Sequence, residues 1–383
     1  MKKKIFIDAG PLLEWKMSGI GHTTHSIVQF LSQSTSFCRD YEIRLLYPKN
    51  KKDLIDRFQF NENVTSTFIP IKARILNGLA KYNLLPPMDI FFGTGTYLFP
   101  NFKNWPLLRS KSITYIHDVA FRIFPEYVEP ANLKMLNRSV ARYMRRTDRI
   151  VTVSNSSKAD IVKYFPDISP GKVKVIHNGV DLEFFTRRKK AEIERVRSEY
   201  NLPPSYFIYI SNIEPRKNLK TLLSAFDTFA ETESDIALIL IGGMGWLNED
   251  IVDRIEELQQ KGRLVIRPNK YVPDDDLPAL LSGARALIHV PVHEGFGISP
   301  LQAIACGTPA IVSSIPSLKE VLGGAGTYVN DLRDPKELAR LMVDAASESP
   351  DETTRGRLRA QAIQFSWKEK TADLEELIRD VAI

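Results

Sequence analysis

His293-Glu294-Gly295-Phe296-Gly297-Ile298-Ser299-Pro300-Leu301-Gln302-Ala303-Ile304-Ala305-Cys306-Gly307-Thr308-Pro309-Ala310-Ile311 follows an apolar run, Ala286-Leu287-Ile288-His289-Val290, that reads as a buried strand. The chain then breaks into a loop over 294–297 and enters an apolar segment over 298–305, which Gly307 and Pro309 close. The local form is strand, tight loop, helix start. Free backbone N–H groups at a helix start attract anions, and glycine lets a ligand approach the backbone closely. Glu294 would repel a phosphate and suits hydroxyl groups instead. Backbone N–H for phosphate together with a carboxylate for hydroxyls is what a sugar nucleotide needs.

The same string resembles the signature of the family 4 (group 1) retaining glycosyltransferases, E-G-F-G-(L/I)-x-x-x-E-A-x-A-x-G-x-P-V-(I/V). There is one departure. The family carries a second Glu eight residues after the first, and here that position is Gln302.

At 383 residues the chain is long enough for two or three domains. Its 43% hydrophobic and 26% charged content is that of a soluble globular protein. Cys38 and Cys306 sit in unrelated contexts, which gives no disulfide framework and no zinc spacing and points to a reducing compartment. The basic start, 1–8, is too short in apolar residues for a signal peptide, and no apolar run reaches membrane-spanning length. The net charge of +6 is clustered: Lys49, Lys51 and Lys52; Arg142, Arg145, Arg146 and Arg149; and the aromatic-cationic stretch 102–111. Such clusters are either solvated faces or a hold on anionic lipid, and no nucleic-acid motif accompanies them.

Apolar runs over 3–9, 42–47, 65–70, 88–93, 111–118 and 149–154 read as strands, and helical patterns over 132–146 and 155–164 alternate with them. The pattern predicts a parallel, doubly wound α/β sheet, whose ligands bind at the carboxyl ends of strands. Gly19 and Gly21 lie in a loop expected to open a helix, but the spacing is not that of a dinucleotide-binding turn. His117-Asp118 falls at a strand end. Asn178-Gly179 reads as a turn, and the charged stretch 184–200 as a solvated linker with a helix. A second α/β half begins with a strand at 206–210. Arg216 and Lys217 then open a helix, where cations are unfavourable unless an anion sits between them and the helix. The strand 236–241 leads into Gly242-Gly243-Met244-Gly245-Trp246, which lacks the Gly-Lys-Ser/Thr of a triphosphate-binding loop. A strand at 264–267 precedes Tyr271-Val272. Asp274-Asp275-Asp276 reads as a charged cap on the next helix rather than a metal site.

The resemblance covers nearly the whole chain, from Gly19 to Trp367, and it implies a GT-B architecture of two Rossmann-like domains facing across a cleft. It places an acceptor-side domain at 1–185 and a nucleotide-sugar domain at 186–364. A helix over 365–383 crosses back to the first domain. It further implies that Gly19 and Gly21 lie over the donor phosphates and that His117 lies near the donor sugar. Arg216 and Lys217 bind the diphosphate, Tyr271 and Val272 meet the base, and Glu294 with Phe296, Gly297 and Ile298 holds sugar and phosphate. Gln302 takes the ribose. His117, Glu294, Arg216 and Lys217 are the expected catalytic residues. No metal and no cofactor are expected, since the cations and helix N–H groups stabilise the leaving diphosphate. The Gly-Gly-x-Gly-Trp wording resembles bacterial polysaccharide mannosyltransferases. The implied reaction is retaining transfer of mannose from GDP-mannose to a lipid-linked or polysaccharide acceptor, as in O-antigen and lipopolysaccharide synthesis. The implied setting is cytoplasmic, at the inner face of the membrane. A nucleotide-sugar epimerase of the same fold, a phosphorylase (for which no pyridoxal lysine is evident) and a non-catalytic sugar-nucleotide scaffold are the alternatives.

Overall fold

A computed structural model of the chain describes residues 2–70, 72–245 and 249–382. Trp246, part of the glycine-rich loop singled out above, lies outside them. The chain divides into two compact units, Met1–Gly179 with Trp367–Ile383, and Val180–Ser366.

In unit 1 seven strands form one sheet: β1 (Lys3–Asp8), β2 (Tyr41–Pro48), β3 (Val64–Ile69), β4 (Thr96–Phe99), β5 (Lys111–Tyr115), β6 (Arg149–Thr152) and β7 (Val173–Val175). Their order is β3-β2-β1-β4-β5-β6-β7, and every pairing is parallel. The order reverses direction between β1 and β4, the switch point of a doubly wound sheet. Central strands are apolar on both faces because helices cover both.

The expected strand at 88–93 is instead a short helix, Asp89–Phe92, and the strand follows at β4. The Asp89 carboxylate accepts N–H bonds from Leu108, Arg109 and Ser110 at 2.7–2.9 Å. Gly93, at φ 101°, then ends the helix. Apolar composition alone does not separate a four-residue helix from a strand.

The helix Trp367–Val381 belongs to unit 1, where Leu374, Leu377 and Ile378 enter the same core as Ile27, Leu31 and Phe37. Gly179 is required for its return. A Cβ there would lie 2.6 Å from the backbone N and Cα of Trp367, atoms that cannot move aside.

Unit 2 repeats the plan with six parallel strands: β8 (Tyr206–Ile210), β9 (Ala237–Ile241), β10 (Val265–Ile266), β11 (Leu287–His289), β12 (Ala310–Ser313) and β13 (Gly326–Val329). The order is β10-β9-β8-β11-β12-β13, with its switch between β8 and β11. Residues 180–185 fall in this unit rather than the first. Arg359 explains why: its guanidinium donates to Leu182 O, Phe185 O and Ala305 O. The charged stretch beyond is largely exposed and carries the expected helix, but it is anchored in unit 2. Its helix, Lys190–Glu199, buries Val196, and the adjoining Tyr200 donates to Asp276 at 2.6 Å. That bond also revises the reading of 274–276, because Asp276 makes no side-chain cap to the helix Leu277–Gly283.

Candidate functional site

The carboxyl ends of β8 and β11 carry the candidate site. β8 leads through Glu214 into a single 3-10 turn, Pro215–Lys217, and Asn218, at φ 55°, turns the chain into the helix Leu219–Phe229. β11 leads through Pro291 into Glu294 and the helix Ile298–Ala305. Ser299 Oγ donates to Ile210 O at 2.8 Å, which ties that helix start to the end of β8. The loop is also held from behind: Ser317 Oγ donates to Glu294 O at 2.6 Å, and Ser313 Oγ to Pro291 O at 2.6 Å.

Glu294 is the hub. Lys217 Nζ lies 2.5 Å from its Oε2, His289 Nε2 3.2 Å and Arg216 Nη1 3.9 Å. Burial alone would push the Glu294 pKa up. Lys217, the His289 hydrogen bond and Arg216 outweigh burial and hold the carboxyl well below its usual range, so it is ionised at neutral pH. Burial pushes the His289 pKa down. Its ring is neutral at pH 7, and because a carboxylate only accepts, Nε2 carries the proton. Nδ1 is then a buried acceptor with no partner among the described residues.

Arg216 is braced twice more, donating to His293 O at 2.8 Å and to Glu214 Oε1 at 2.9 Å. Both cations therefore already face a carboxylate, Arg216 with Glu214 and Lys217 with Glu294. The cations expected to await an anion are thus balanced internally by carboxylates.

Gly297 is the N-cap of the helix Ile298–Ala305, at φ 95°, with no side-chain cap. A Cβ there would meet Leu318 Cδ2 at 2.3 Å and adopt a backbone region costly for L side chains. The uncapped first turn leaves the N–H groups of Ile298 and Ser299 for an anion. Ile298, Ser299 and Gln302 are its half-buried positions, while Pro300, Leu301 and Ala303 are buried. The Phe296 ring is buried and packs edge-on against Phe365 at 5.9 Å. Tyr271 is exposed and Val272 buried, both in the loop after β10. Arg216, Lys217, Glu294, Gly297 and Ile298 are thus brought together.

His117, Gly19 and Gly21 belong to unit 1. The glycines form the first turn of the helix Gly19–Gln33 rather than a preceding loop, and Ser18 caps it by accepting from Gly21 N. His117 follows β5, and its Nε2 is 2.9 Å from Pro100 O. Burial lowers its pKa, against the Pro100 contact and Asp118, so the ring is neutral at pH 7. The segment after β4 that carries Pro100 also carries Lys103, whose Nζ lies 2.9 Å from the buried Asp8 carboxylate at the end of β1. Neither Asp8 nor Lys103 was expected as a site residue; Lys103 stood only in the aromatic-cationic stretch 102–111. Only the β1-β4 pairing places them at the switch point of unit 1, although a lone Asp closing an apolar strand was a signal that could have been used.

Two family descriptions match: "Glycosyltransferase Family 4" over residues 17–184 and "Glycosyl transferases group 1" over 190–365. The chain is 29% identical to O-antigen chain mannosyltransferase B of Escherichia coli, over 96% of this chain and 97% of that one. It is 27% identical to O-antigen chain mannosyltransferase RfbU of Salmonella typhimurium, over 63% of this chain and 62% of that one. Among solved structures, Anabaena HepE, determined with UDP and glucose, superposes with a TM-score of 0.71 at 16% identity, over 99% of this chain and all of that one. That likeness shows the fold class, two Rossmann-like domains of the GT-B type. With one family match on each unit, the chain belongs to the family 4, group 1 glycosyltransferases and is itself a glycosyltransferase.

Proposed function

We propose that this glycosyltransferase moves mannose from GDP-mannose to a hydroxyl of a growing lipid-linked or polysaccharide O-antigen chain, with retention at the anomeric carbon and without a metal. The sugar and the acceptor class rest on the near-full-length similarity to the E. coli O-antigen mannosyltransferase. The observation that carries the chemistry is the convergence of Lys217 and Arg216 on Glu294 beside the uncapped start of the helix Ile298–Ala305.

In this reading the bond from the anomeric carbon to the diphosphate breaks, and the acceptor oxygen bonds to that carbon on the same face. The acceptor proton leaves with the diphosphate. Negative charge growing on the leaving oxygens is met by Lys217, Arg216 and the N–H groups of Ile298 and Ser299, donors already in place when the charge appears. Glu294 commits Oε2 to Lys217 and His289, so Oε1 is the oxygen for a donor-sugar hydroxyl. Gln302 supplies amide hydrogen bonds to the ribose, weaker than those of the Glu usual in the family. On unit 1, Asp8, Lys103 and neutral His117 serve the acceptor.

The test is a donor screen by thermal shift and by donor hydrolysis, with EDTA present throughout, using GDP-mannose, UDP-glucose, UDP-GlcNAc and a dTDP-sugar against wild type and Arg216→Ala. Saturation at 100 times the dissociation constant stabilises by roughly 2.7 kcal/mol. A shift and turnover with GDP-mannose alone, both lost in the variant, is the expected result. A shift with another donor refutes GDP-mannose. Binding without hydrolysis or transfer to any acceptor favours the scaffold, and interconversion of the sugar favours the epimerase.

A further inference from the structure

Trp15 is 75% exposed, more than any other large apolar side chain among the described residues. It stands in the loop between β1 and the helix Gly19–Gln33, at the carboxyl end of β1 where Asp8 lies. Arg57 joins this loop to a groove farther along the helix. Its guanidinium donates to Leu12 O, Glu14 O and Trp15 O at 2.6–3.3 Å, and lies 5.5 Å from the Trp15 ring and 4.5 Å from the Phe58 ring. The groove holds about 260 Å³ between the helix and the turn before β3, and His25, Gln29, Gln33, Phe58, Gln59 and Phe60 line it. His25, Gln29 and Gln33 follow at four-residue steps, so they share one helix face. Phe58 and Phe60 flank Gln59, whose φ of 49° is a costly region for a side chain of that size, and their rings lie 5.6 Å apart. The His25 ring lies 4.9 Å from the first and 5.5 Å from the second.

The chemistry of the lining says what fits. No Lys, Arg, Asp or Glu lines the groove, so it is not built for a phosphate, a nucleotide or a charged peptide. The side-chain amides of Gln29, Gln33 and Gln59 make no hydrogen bond among the described residues. An amide offers donors and an acceptor side by side, which is the combination a hydroxyl uses. The electron-rich faces of the half-buried rings suit the C–H faces of sugar rings. An apolar helix or a second copy of this chain seated here would strand the three amides, at a cost for each. A neutral ligand rich in hydroxyls and with apolar faces is a carbohydrate. The placement agrees. At 1.5 Å per residue the helix carries its face roughly 20 Å from Gly19 to Gln33, enough for several sugar units leading away from the strand ends.

We propose that the track from Trp15 to the groove beside Gln33 is a second carbohydrate site, which holds the already-built part of the acceptor glycan while its far end reacts. The inference rests on the polysaccharide acceptor proposed above. It is tested with the full chain by calorimetry without donor, using disaccharides and hexasaccharides of mannose, glucose and galactose. The variants are Trp15→Ala, Gln29→Ala with Gln33→Ala, and Gln260→Ala as an exposed amide control in unit 2. Circular dichroism melts and donor hydrolysis confirm that each variant is folded.

The mannose hexasaccharide is expected to bind and the disaccharide to bind far more weakly. Hexasaccharide affinity should fall about tenfold in Trp15→Ala and about fivefold in the paired amide variant, and stay unchanged in Gln260→Ala. In transfer assays the same two variants should raise KM for the hexasaccharide, with kcat and the KM for the disaccharide unchanged. Absence of hexasaccharide binding, or binding that the folded groove variants leave unchanged, overturns the proposal. So does a concentration-dependent dimer that the groove variants abolish, which would assign the track to a second copy. The binding arm needs no turnover, so it decides the groove even where the transfer reading fails: a glucose or galactose hexasaccharide held there in place of the mannose one supports the groove and refutes the mannose chain as acceptor.

Discussion

Lys217→Met is the sharpest probe of unit 2. Lys217 and Glu294 side chains are 10% and 15% exposed and 2.5 Å apart. Removing the ammonium leaves a buried carboxylate supported by a neutral His289 and by Arg216 at 3.9 Å. Breaking one side of such a pair costs about 3–5 kcal/mol. In a unit of this size that is a fall of roughly 6–20 °C in Tm. The pH dependence follows from the sign of the shift. In the wild type the Glu294 folded value is depressed, so its contribution is present above the ordinary value of 4.5 and lost as pH falls through the lower, folded value. In Lys217→Met the largest influence opposing burial is gone and burial raises the Glu294 value. The variant then becomes less stable as pH rises through that raised value and recovers as pH falls. Adding Glu294→Gln removes the stranded charge, so the double variant should be markedly more stable at pH 7 than the sum of the two single losses predicts. The assay is thermal melting of the four proteins from pH 4 to 8. Additive losses, or a Lys217→Met deficit that does not change with pH, would refute the coupling argued here.

Gly297→Ala should lower stability through both its positive φ and the Leu318 clash, by about 2–5 kcal/mol, seen as a lower Tm. Gly297→Ala with Leu318→Ala recovers only the clash, leaving a residual loss seen by the same melt. Lys103→Ala should cut transfer to acceptor about tenfold or more while leaving the donor-induced thermal shift unchanged; loss of both in parallel would remove Lys103 from the acceptor side. Gln302→Glu should tighten free guanosine about fivefold by charge-assisted bonding to the ribose, and GDP by less, with the gap narrowing in high salt. Calorimetry decides it: an unchanged guanosine affinity takes Gln302 off the ribose.

The parts legible in the sequence were those set by local pattern. The strand at 206–210, the helix over 298–305 and the cations at 216 and 217 all stand where apolar run, glycine and proline place them. Three features were not legible, each for a physical reason. Asp89 draws its N–H partners from residues about 20 positions away, and they turn an apolar run into a helix. Asp276 has the composition of a cap, but a tyrosine at position 200 claims it first. Asp8 and Lys103 meet only because β1 pairs with β4, and pairing across a crossover leaves no trace in local spacing.

The charge count at the end of β8 and β11 bears on how the proposed donor enters. Arg216 and Lys217 are opposed by Glu214 and Glu294, so without ligand the buried cluster is neutral and the unit folds without an uncompensated charge. A diphosphate arriving there adds negative charge to a balanced set. Binding therefore cannot come from net attraction alone. It requires that the cations share their donors, and they can: an ammonium has three N–H groups and a guanidinium five. Lys217 can keep Glu294 and still offer two N–H groups to phosphate, and the helix N–H groups, which no side chain caps among the described residues, add positive potential. The transition state, with more charge on the leaving oxygens than the bound donor, gains more from these shared donors than the ground state does. An internally balanced cation pair thus gives modest donor affinity and selective stabilisation of the departing diphosphate, which is the form of binding that raises turnover.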